Sequence, residues 1–149
     1  MIALLQRVSE ASVSVEQELV GRIGAGLLVF LCAEPGDSER HAERMLAKIL
    51  KLRIFGDRQG KMNLSLQDVA GGLLVVSQFT LAADTSSGNR PGFTNAAAPD
   101  LGRRLYDYFL DQARALHPVV QNGRFGTEMR VALVNDGPVT IPLRIDPGV

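Results

Sequence analysis

Two continuous apolar runs constrain the fold of this chain more than any other feature. They are Leu27–Ala33 and Leu73–Phe79, and each is bounded by glycines or polar residues. Runs of this length, rich in Val and Leu, are typical of strands buried on both faces. Shorter strands are predicted at Ile2–Val8, Ala11–Val15, Leu19–Ile23, Met129–Val134 and Val139–Ile145.

Two other stretches have apolar residues at helical spacing, which predicts the helices Ser38–Leu52 and Asp100–Leu116, the second ending at His117-Pro118. Strand runs outnumber helices, and short turns often join them, which favours antiparallel pairing over a doubly wound sheet. The length and the 46% hydrophobic content suit one domain over residues 1–149. We therefore predict a single mixed α+β domain with a largely antiparallel sheet and two principal helices.

The charge balance limits how the chain can meet nucleic acid. Sixteen acidic residues match 16 basic ones, so the chain lacks the broad positive field that attracts duplex nucleic acid over long distances. Any contact with nucleic acid is expected to be local, at an end or a loop. No apolar stretch approaches the roughly 20 residues of a membrane span, and no leader opens the chain, so a cytoplasmic location is expected.

Residues for metal or imidazole chemistry are scarce. The two histidines, His41 and His117, lie at predicted helix ends and are expected to be surface or capping residues. Cys32, the only cysteine, is expected to be a small buried hydrophobe, and no spacing suggests a metal or cofactor site. An enzyme of this composition is suited to hydrolysing an activated ester. Such a reaction needs a correctly positioned substrate, backbone N–H groups that stabilise the oxyanion, and a hydroxyl such as that of Thr80 or of the substrate.

Two short motifs carry the functional information. In Ser77–Leu81 a polar pair interrupts the end of an apolar run, and Asn135–Thr140 forms a turn between two apolar runs. Alone, the first could be the polar end of a buried strand. The second could be an ordinary hairpin turn, with a trans bond between Gly137 and Pro138.

The order and spacing of several motifs are more specific than any one of them. The chain resembles the D-aminoacyl-tRNA deacylase family from end to end. The resemblance rests on Gln6-Arg7-Val8, Ala11-Ser12-Val13, Gly24–Val29, Arg53-Ile54-Phe55, Gly60–Asn63, Val75–Leu81, Ala83-Asp84, Arg90-Pro91 with Phe93, and Leu133–Thr140. Cys32 and Gly92 depart from the glycine and serine usual at these positions, but both lie outside the motifs.

The resemblance implies a barrel-like core and a homodimer that needs no cofactor or metal and hydrolyses D-aminoacyl-tRNA to tRNA and D-amino acid. The Gly137-Pro138 bond would be cis and would reach the partner's pocket to exclude L side chains, held by Arg7. The backbone of Ser77–Phe79 would receive the 3′-terminal adenosine, with Thr80 beside the ester. By position, the catalytic residues are Thr80, Ser77 and Gln78, and the substrate-binding residues are Phe79, Gly137, Pro138, Arg7 and Met129.

Some alternatives remain open. Exclusion by size would let glycine pass, so glycyl-tRNA(Ala) is a plausible second substrate. A non-catalytic dimeric module that binds aminoacyl ends, or a general small-ester hydrolase using Thr80, would fit the same residues. Five basic residues could form a modest patch near the acceptor stem or could be solvated charges: Lys48, Lys51, Arg53, Arg58 and Lys61.

Overall fold

Strands form most of the regular structure, and two long helices interrupt them. The computed structural model describes residues 1–146 and 148, so Pro147 and Val149 of the predicted domain lie outside the described residues. The elements are β1 (Ile2–Val15), β2 (Glu18–Ile23), β3 (Gly26–Cys32), α1 (Glu39–Lys51), β4 (Phe55–Gly56), β5 (Met62–Leu64), α2 (Leu66–Val69), β6 (Gly72–Ser77), a 3-10 helix (Phe79–Ala82), α3 (Pro99–Leu116), β7 (Val120–Asn122) and β8 (Arg130–Arg144).

The main sheet has the order β2-β1-β3-β6-β7, and β8 pairs with β1. Strand β1 is antiparallel to β2, β3 and β8, whereas β3–β6 and β6–β7 are parallel. The parallel pairs follow from connectivity, because α1 lies in the connection between β3 and β6 and α3 in that between β6 and β7. The predicted α+β fold with a largely antiparallel sheet is confirmed, and both long helices match their predicted bounds to within one residue.

The outer strands β2 and β7 approach each other. A Cβ atom added to Gly21 of β2 would lie 2.8 Å from the carbonyl oxygen of Asn122 in β7. A glycine in a strand often marks such a close approach of two backbones. The sheet is therefore nearly closed, in agreement with a barrel-like core.

Both faces of the central strands are buried, which explains the continuous apolar runs. Leu27 and Leu73 belong to a large cluster that includes Phe109 of α3, whereas Leu28 and Leu74 belong to a second cluster. All five side chains are fully buried. Because alternate residues of β3 and β6 face opposite clusters, both strands are apolar up to Ser77, the last residue of β6.

The predicted hairpin near the C-terminus is wrong. Its two arms form the single strand β8, and both arms pair with β1, which is itself one strand where two were predicted. Val8 is opposite Asn135 and Gln6 is opposite Thr140, so two steps along β1 match five along β8. The Asn-Asp-Gly turn chemistry therefore forms a bulge of three extra residues, not a chain reversal.

The two histidines are buried, so the surface part of their predicted role is wrong. His41 is 7% exposed and completes a capping box, in which the Ser38 N–H donates to its Nδ1 at 3.0 Å. His117 is 3% exposed at the C-cap of α3, and its Nε2 lies 2.6 Å from the Gly71 carbonyl oxygen. The capping part of the prediction is confirmed.

A buried ionic cluster joins the start of β1 to the end of its neighbour β8. The Met1 ammonium donates to Glu34 at 2.9 Å, to Asp37 at 3.1 Å and to the Ile145 carbonyl oxygen at 2.7 Å. Glu34 also accepts a hydrogen bond from Arg144 at 2.8 Å. Burial alone would raise the pKa of Glu34, but the bonds from Arg144 and the ammonium outweigh it and lower the pKa below its ordinary value.

Replacing Glu34 with glutamine is expected to lower the free energy of unfolding at pH 7 by roughly 3 kcal/mol, because the Met1 ammonium and the Arg144 guanidinium lose the buried carboxylate that pairs with them. A carboxylate with a lowered pKa stabilises the fold above the ordinary Glu pKa of about 4.3, and this contribution is lost as the pH falls through the folded-state value. Urea unfolding between pH 7 and pH 3 should therefore show a shallower acid decline for Glu34→Gln. The exposed Glu10→Gln is the control, and parallel pH curves for Glu34→Gln and the unmodified chain would contradict the assignment.

Candidate active site

A cleft of about 570 Å³ opens where β6 ends. Ser77 is the last residue of β6, Gln78 makes the turn, and Phe79 begins the 3-10 helix. The Gln78 N–H donates to the carbonyl oxygen of Leu31 at 2.9 Å, which fixes this turn to the end of the parallel neighbour β3. The cleft is lined by Val76, Ser77, Gln78, Phe79, Phe93, Ala96, Ala97, Pro99, Phe125, Gly126, Thr127, Met129 and Val131.

One wall of the cleft is aromatic. Phe79 is 59% exposed, and its ring meets that of Phe93 edge to face with 5.0 Å between centroids. Phe93 belongs to the long connection before α3, where the backbones of Asp84 and Gly92 exchange hydrogen bonds of 2.8 and 2.9 Å. The connection is therefore ordered, and Phe93 holds it against the site.

Another part of the cleft lining comes from the segment before β8. Phe125 and Met129 line the cleft there, and the Arg103 guanidinium lies 5.1 Å from the centroid of the Phe125 ring. Met129 was predicted as a binding residue, and the structure places it with the Ser77–Phe79 segment. Phe125 was not predicted. Its only signal is an aromatic residue between Gly123 and Gly126 in an otherwise polar loop.

Thr80 lies beside the cleft, on the exposed side of the 3-10 helix. Its Oγ1 accepts a hydrogen bond from the Gln78 side-chain amide, which couples two of the three predicted catalytic side chains. The described residues contain no group of three or more His, Cys, Asp or Glu side chains able to hold a metal. The polar groups at the cleft are therefore backbone amides, one amide side chain and hydroxyls.

Cys32 lies in the wall of a small cavity of about 40 Å³ beneath the same segment, shared with Ser77 and Phe125. It is 3% exposed, and burial raises the pKa of its thiol to about 11. At neutral pH it is the protonated thiol, which is a poor nucleophile. The interpretation of Cys32 as a small buried hydrophobe is confirmed.

A second group of predicted residues surrounds the bulge of β8. The Arg7 guanidinium donates to the carbonyl oxygens of Asp136 at 2.9 Å and of Ile54 at 2.7 Å, and lies 3.6 Å from the Asp136 carboxylate. The Gly137-Pro138 peptide bond is cis. Gly137 has a φ of +135°, and a Cβ added there would lie 2.9 Å from Val139 and 3.1 Å from the Arg7 guanidinium. Arg7 thus holds a bulge that is itself exposed.

The predicted site residues therefore form two groups in one chain. Ser77, Gln78, Phe79 and Met129 line the cleft, and Thr80 adjoins it. Arg7, Gly137 and Pro138 form the other group and are not among the residues that line the cleft. Within one chain, the structure does not bring the Gly-Pro bulge to the cleft.

Two solved structures share the fold over nearly their whole length. One, described as c-Myc DNA Unwinding Element Binding Protein, is 40% identical with a TM-score of 0.93 and covers 98% of this chain and 99% of its own. The other, described as a probable eukaryotic D-amino acid tRNA deacylase, is 20% identical with a TM-score of 0.81, covers 97% of this chain and 98% of its own, and shows the shared fold.

Relatives with much higher identity define the class. A protein of Paracidovorax citrulli is 69% identical over 147 residues, 99% of this chain and 95% of its own length. One of Aromatoleum aromaticum is also 69% identical over 147 residues, 99% of this chain and 97% of its own length. Both are named D-aminoacyl-tRNA deacylase, so this class of proteins consists of hydrolases that act on an ester bond.

The family follows from a direct match. The model of the D-Tyr-tRNA(Tyr) deacylase family matches residues 4–144, which is nearly the whole chain. The chain belongs to this family. Among the described residues, no helix is long and apolar enough to cross a membrane.

Proposed function

We propose that the chain hydrolyses the ester bond of D-aminoacyl-tRNA and releases free tRNA and a D-amino acid. The observation that carries this proposal is the cleft at the end of β6, where Ser77, Gln78 and Phe79 meet Met129 in a member of this family. The cytoplasm, where aminoacyl-tRNA is used, is the compartment proposed for the reaction.

The chemistry needs little from side chains. An aminoacyl ester is already activated, so orientation of the carbonyl and stabilisation of its oxyanion supply most of the catalysis. The backbone N–H groups of Phe79 and Thr80, at the start of the 3-10 helix, are the proposed oxyanion donors, since that of Gln78 already donates to Leu31. Gln78 orients the Thr80 hydroxyl through their hydrogen bond, and that hydroxyl or a ribose hydroxyl of the substrate assists the attacking water.

The aromatic walls suit the 3′-terminal adenosine. Phe79, Phe93 and Phe125 present ring faces and edges to one cleft. Proteins bind unpaired bases by stacking on aromatic side chains, a contact that does not require a large positive field. The neutral net charge of the chain agrees with recognition of the tRNA end in this way.

The chain is further proposed to act as a homodimer, in which Gly137-Pro138 of one subunit closes the cleft of the other. Two features support this arrangement. The bulge is exposed and does not line the cleft of its own chain. Among the described residues β8 pairs with β1 alone, which leaves an edge on which Val134 is 50% exposed. In that position the backbone of Gly137 and Pro138 would clash with the side chain of an L-aminoacyl group and so exclude it. A glycyl group has no side chain and would fit, so glycyl-tRNA(Ala) is a second proposed substrate.

Two substrates distinguish this function from its alternatives. The chain should turn over D-tyrosyl-tRNA many times and leave D-tyrosine methyl ester essentially intact, because the ester alone lacks the adenosine that fills the cleft. Binding of D-tyrosyl-tRNA without turnover would instead identify a binding module. Comparable hydrolysis of both esters would identify a general esterase, and either result would contradict the proposal.

A further inference from the structure

One region of this chain carries a local excess of positive charge. Residues 48–67 contain five basic side chains and a single acidic one, Asp57, although the chain as a whole is neutral. We call these five residues the basic patch: Lys48, Lys51, Arg53, Arg58 and Lys61. All five are exposed, Lys48 and Lys51 at the end of α1 and the others on or beside the β4–β5 hairpin.

The positive charge of the basic patch is not neutralised by ion pairs. No ion pair between described residues involves any of the five. The Asp57 carboxylate is engaged within its own turn, since it accepts the N–H groups of Gln59 at 2.8 Å and Lys61 at 3.0 Å. Arg53 donates to the carbonyl oxygen of Asn63 at 2.9 Å, which fixes the hairpin to the end of α1. The basic patch is therefore a defined surface that remains available to an anion.

The basic patch adjoins the Gly-Pro bulge. Ile54, directly after Arg53, accepts a hydrogen bond from the Arg7 guanidinium, and the same guanidinium holds the backbone of Asp136. One side chain thus links the start of the hairpin to the residue before Gly137. Arg53, the patch residue that precedes Ile54, therefore lies close to the segment that Arg7 ties to the bulge.

This proximity matters if the proposed homodimer is correct, and the inference rests on that proposed function. Where Gly137-Pro138 closes the partner's cleft, the basic patch flanks the mouth of that cleft. A tRNA whose 3′ end fills the cleft would extend its acceptor stem across this surface. We propose that the basic patch binds the phosphates of the acceptor stem of a tRNA held in the partner's cleft.

The chemistry fits the assignment. Lysine and arginine contacts to phosphate carry most of the sequence-independent affinity for nucleic acid and position the partner without reading bases. A deacylase that accepts many aminoacyl-tRNAs needs contacts of this kind. A local patch on a neutral chain also confines the tRNA to one face.

Two double variants test the proposal: Lys48→Gln with Lys51→Gln, and Arg58→Gln with Lys61→Gln. Arg53 is retained because it supports the hairpin. For D-tyrosyl-tRNA each variant should raise KM by up to roughly tenfold per lost phosphate contact at about 0.1 M salt, with kcat unchanged. The slope of log KM against log salt should fall by about 1 per lost contact. Hydrolysis of 3′-D-tyrosyl-adenosine, which has no stem, should not change.

The exposed arginines Arg22 and Arg104, outside the basic patch, provide the charge-matched control Arg22→Gln with Arg104→Gln. The control should leave KM and its salt dependence unaltered. Unchanged KM in both patch variants, or an equal rise in the control, would overturn the proposal while leaving the proposed function intact. Failure of the unmodified chain to hydrolyse either substrate would instead reject the proposed function, and this inference with it.

Discussion

Gly137→Ala is expected to lower the rate of D-tyrosyl-tRNA hydrolysis by about 100-fold, the effect typical of a group displaced by about 1 Å at an active site. The φ of +135° at Gly137 is one that an L residue rarely adopts, and its Cβ would crowd Val139 and Arg7. The bulge must therefore move, and its carbonyl groups move with it. Single-turnover hydrolysis and the D-to-L rate ratio measure the result.

Gly60→Ala is the control for backbone strain alone. Gly60 has a φ of +77°, but no heavy atom of the described residues lies within 4 Å of the position that an added Cβ would take. The variant should lose a little stability and keep the activity of the unmodified chain. Near-normal activity and rate ratio in Gly137→Ala would remove the bulge from the mechanism.

Mixed dimers show whether the bulge acts across the subunits. Ala96→Trp blocks the cleft, so Gly137→Ala and Ala96→Trp homodimers should both be inactive. A mixed dimer places an open cleft against an intact bulge, so random mixing should restore roughly a quarter of the normal activity. No restoration in verified mixed dimers would contradict the cross-subunit arrangement.

Gly26→Ala is expected to lower the free energy of unfolding by more than about 4 kcal/mol, a loss of exceptional size for one substitution. A Cβ at Gly26 would lie 1.9 Å from the carbonyl oxygen and 2.6 Å from the nitrogen of Gly72. Both atoms belong to the backbone of the paired strand β6, so only separation of β3 from β6 could relieve the clash. Urea unfolding at pH 7 measures the loss.

Gly24 provides the matched control two residues earlier. No heavy atom of the described residues lies within 4 Å of the position that a Cβ added to Gly24 would take. Gly24→Ala should therefore change the free energy of unfolding by no more than about 0.5 kcal/mol. Equal stabilities of the two variants would show that the Gly26–Gly72 contact is not required. If Gly26→Ala cannot be isolated as a folded protein while Gly24→Ala can, the prediction also holds.

The sequence predicted elements where one physical signal dominated. The runs in β3 and β6 are apolar because both faces of these strands are buried. The helices α1 and α3 were predictable because their buried residues recur at helical spacing. The hairpin prediction failed because Asn-Asp-Gly favours a turn locally, whereas β1 is long enough to pair with both arms. Tertiary pairing therefore overrode local turn chemistry.

The candidate site was predictable only in part. Physical reasoning indicated an activated ester and a polar strand end, but the roles of Ser77, Thr80 and Gly137 came from the resemblance to a family. Phe125 was missed because its place in the same cleft as Phe79 depends on the tertiary position of the loop after β7. The burial of His117 was missed for the same reason, since its partner Gly71 is far away in sequence.

The rate of hydrolysis of D-tyrosyl-tRNA relative to L-tyrosyl-tRNA, measured on the same tRNA with the unmodified chain, tests the central claim most directly. The claim is that a cleft built from the end of β6 cleaves the ester and that backbone groups of Gly137 and Pro138 exclude the L enantiomer. The predicted result is rapid multiple turnover of the D substrate and a rate for the L substrate indistinguishable from uncatalysed hydrolysis. Comparable rates for the two enantiomers would contradict the account.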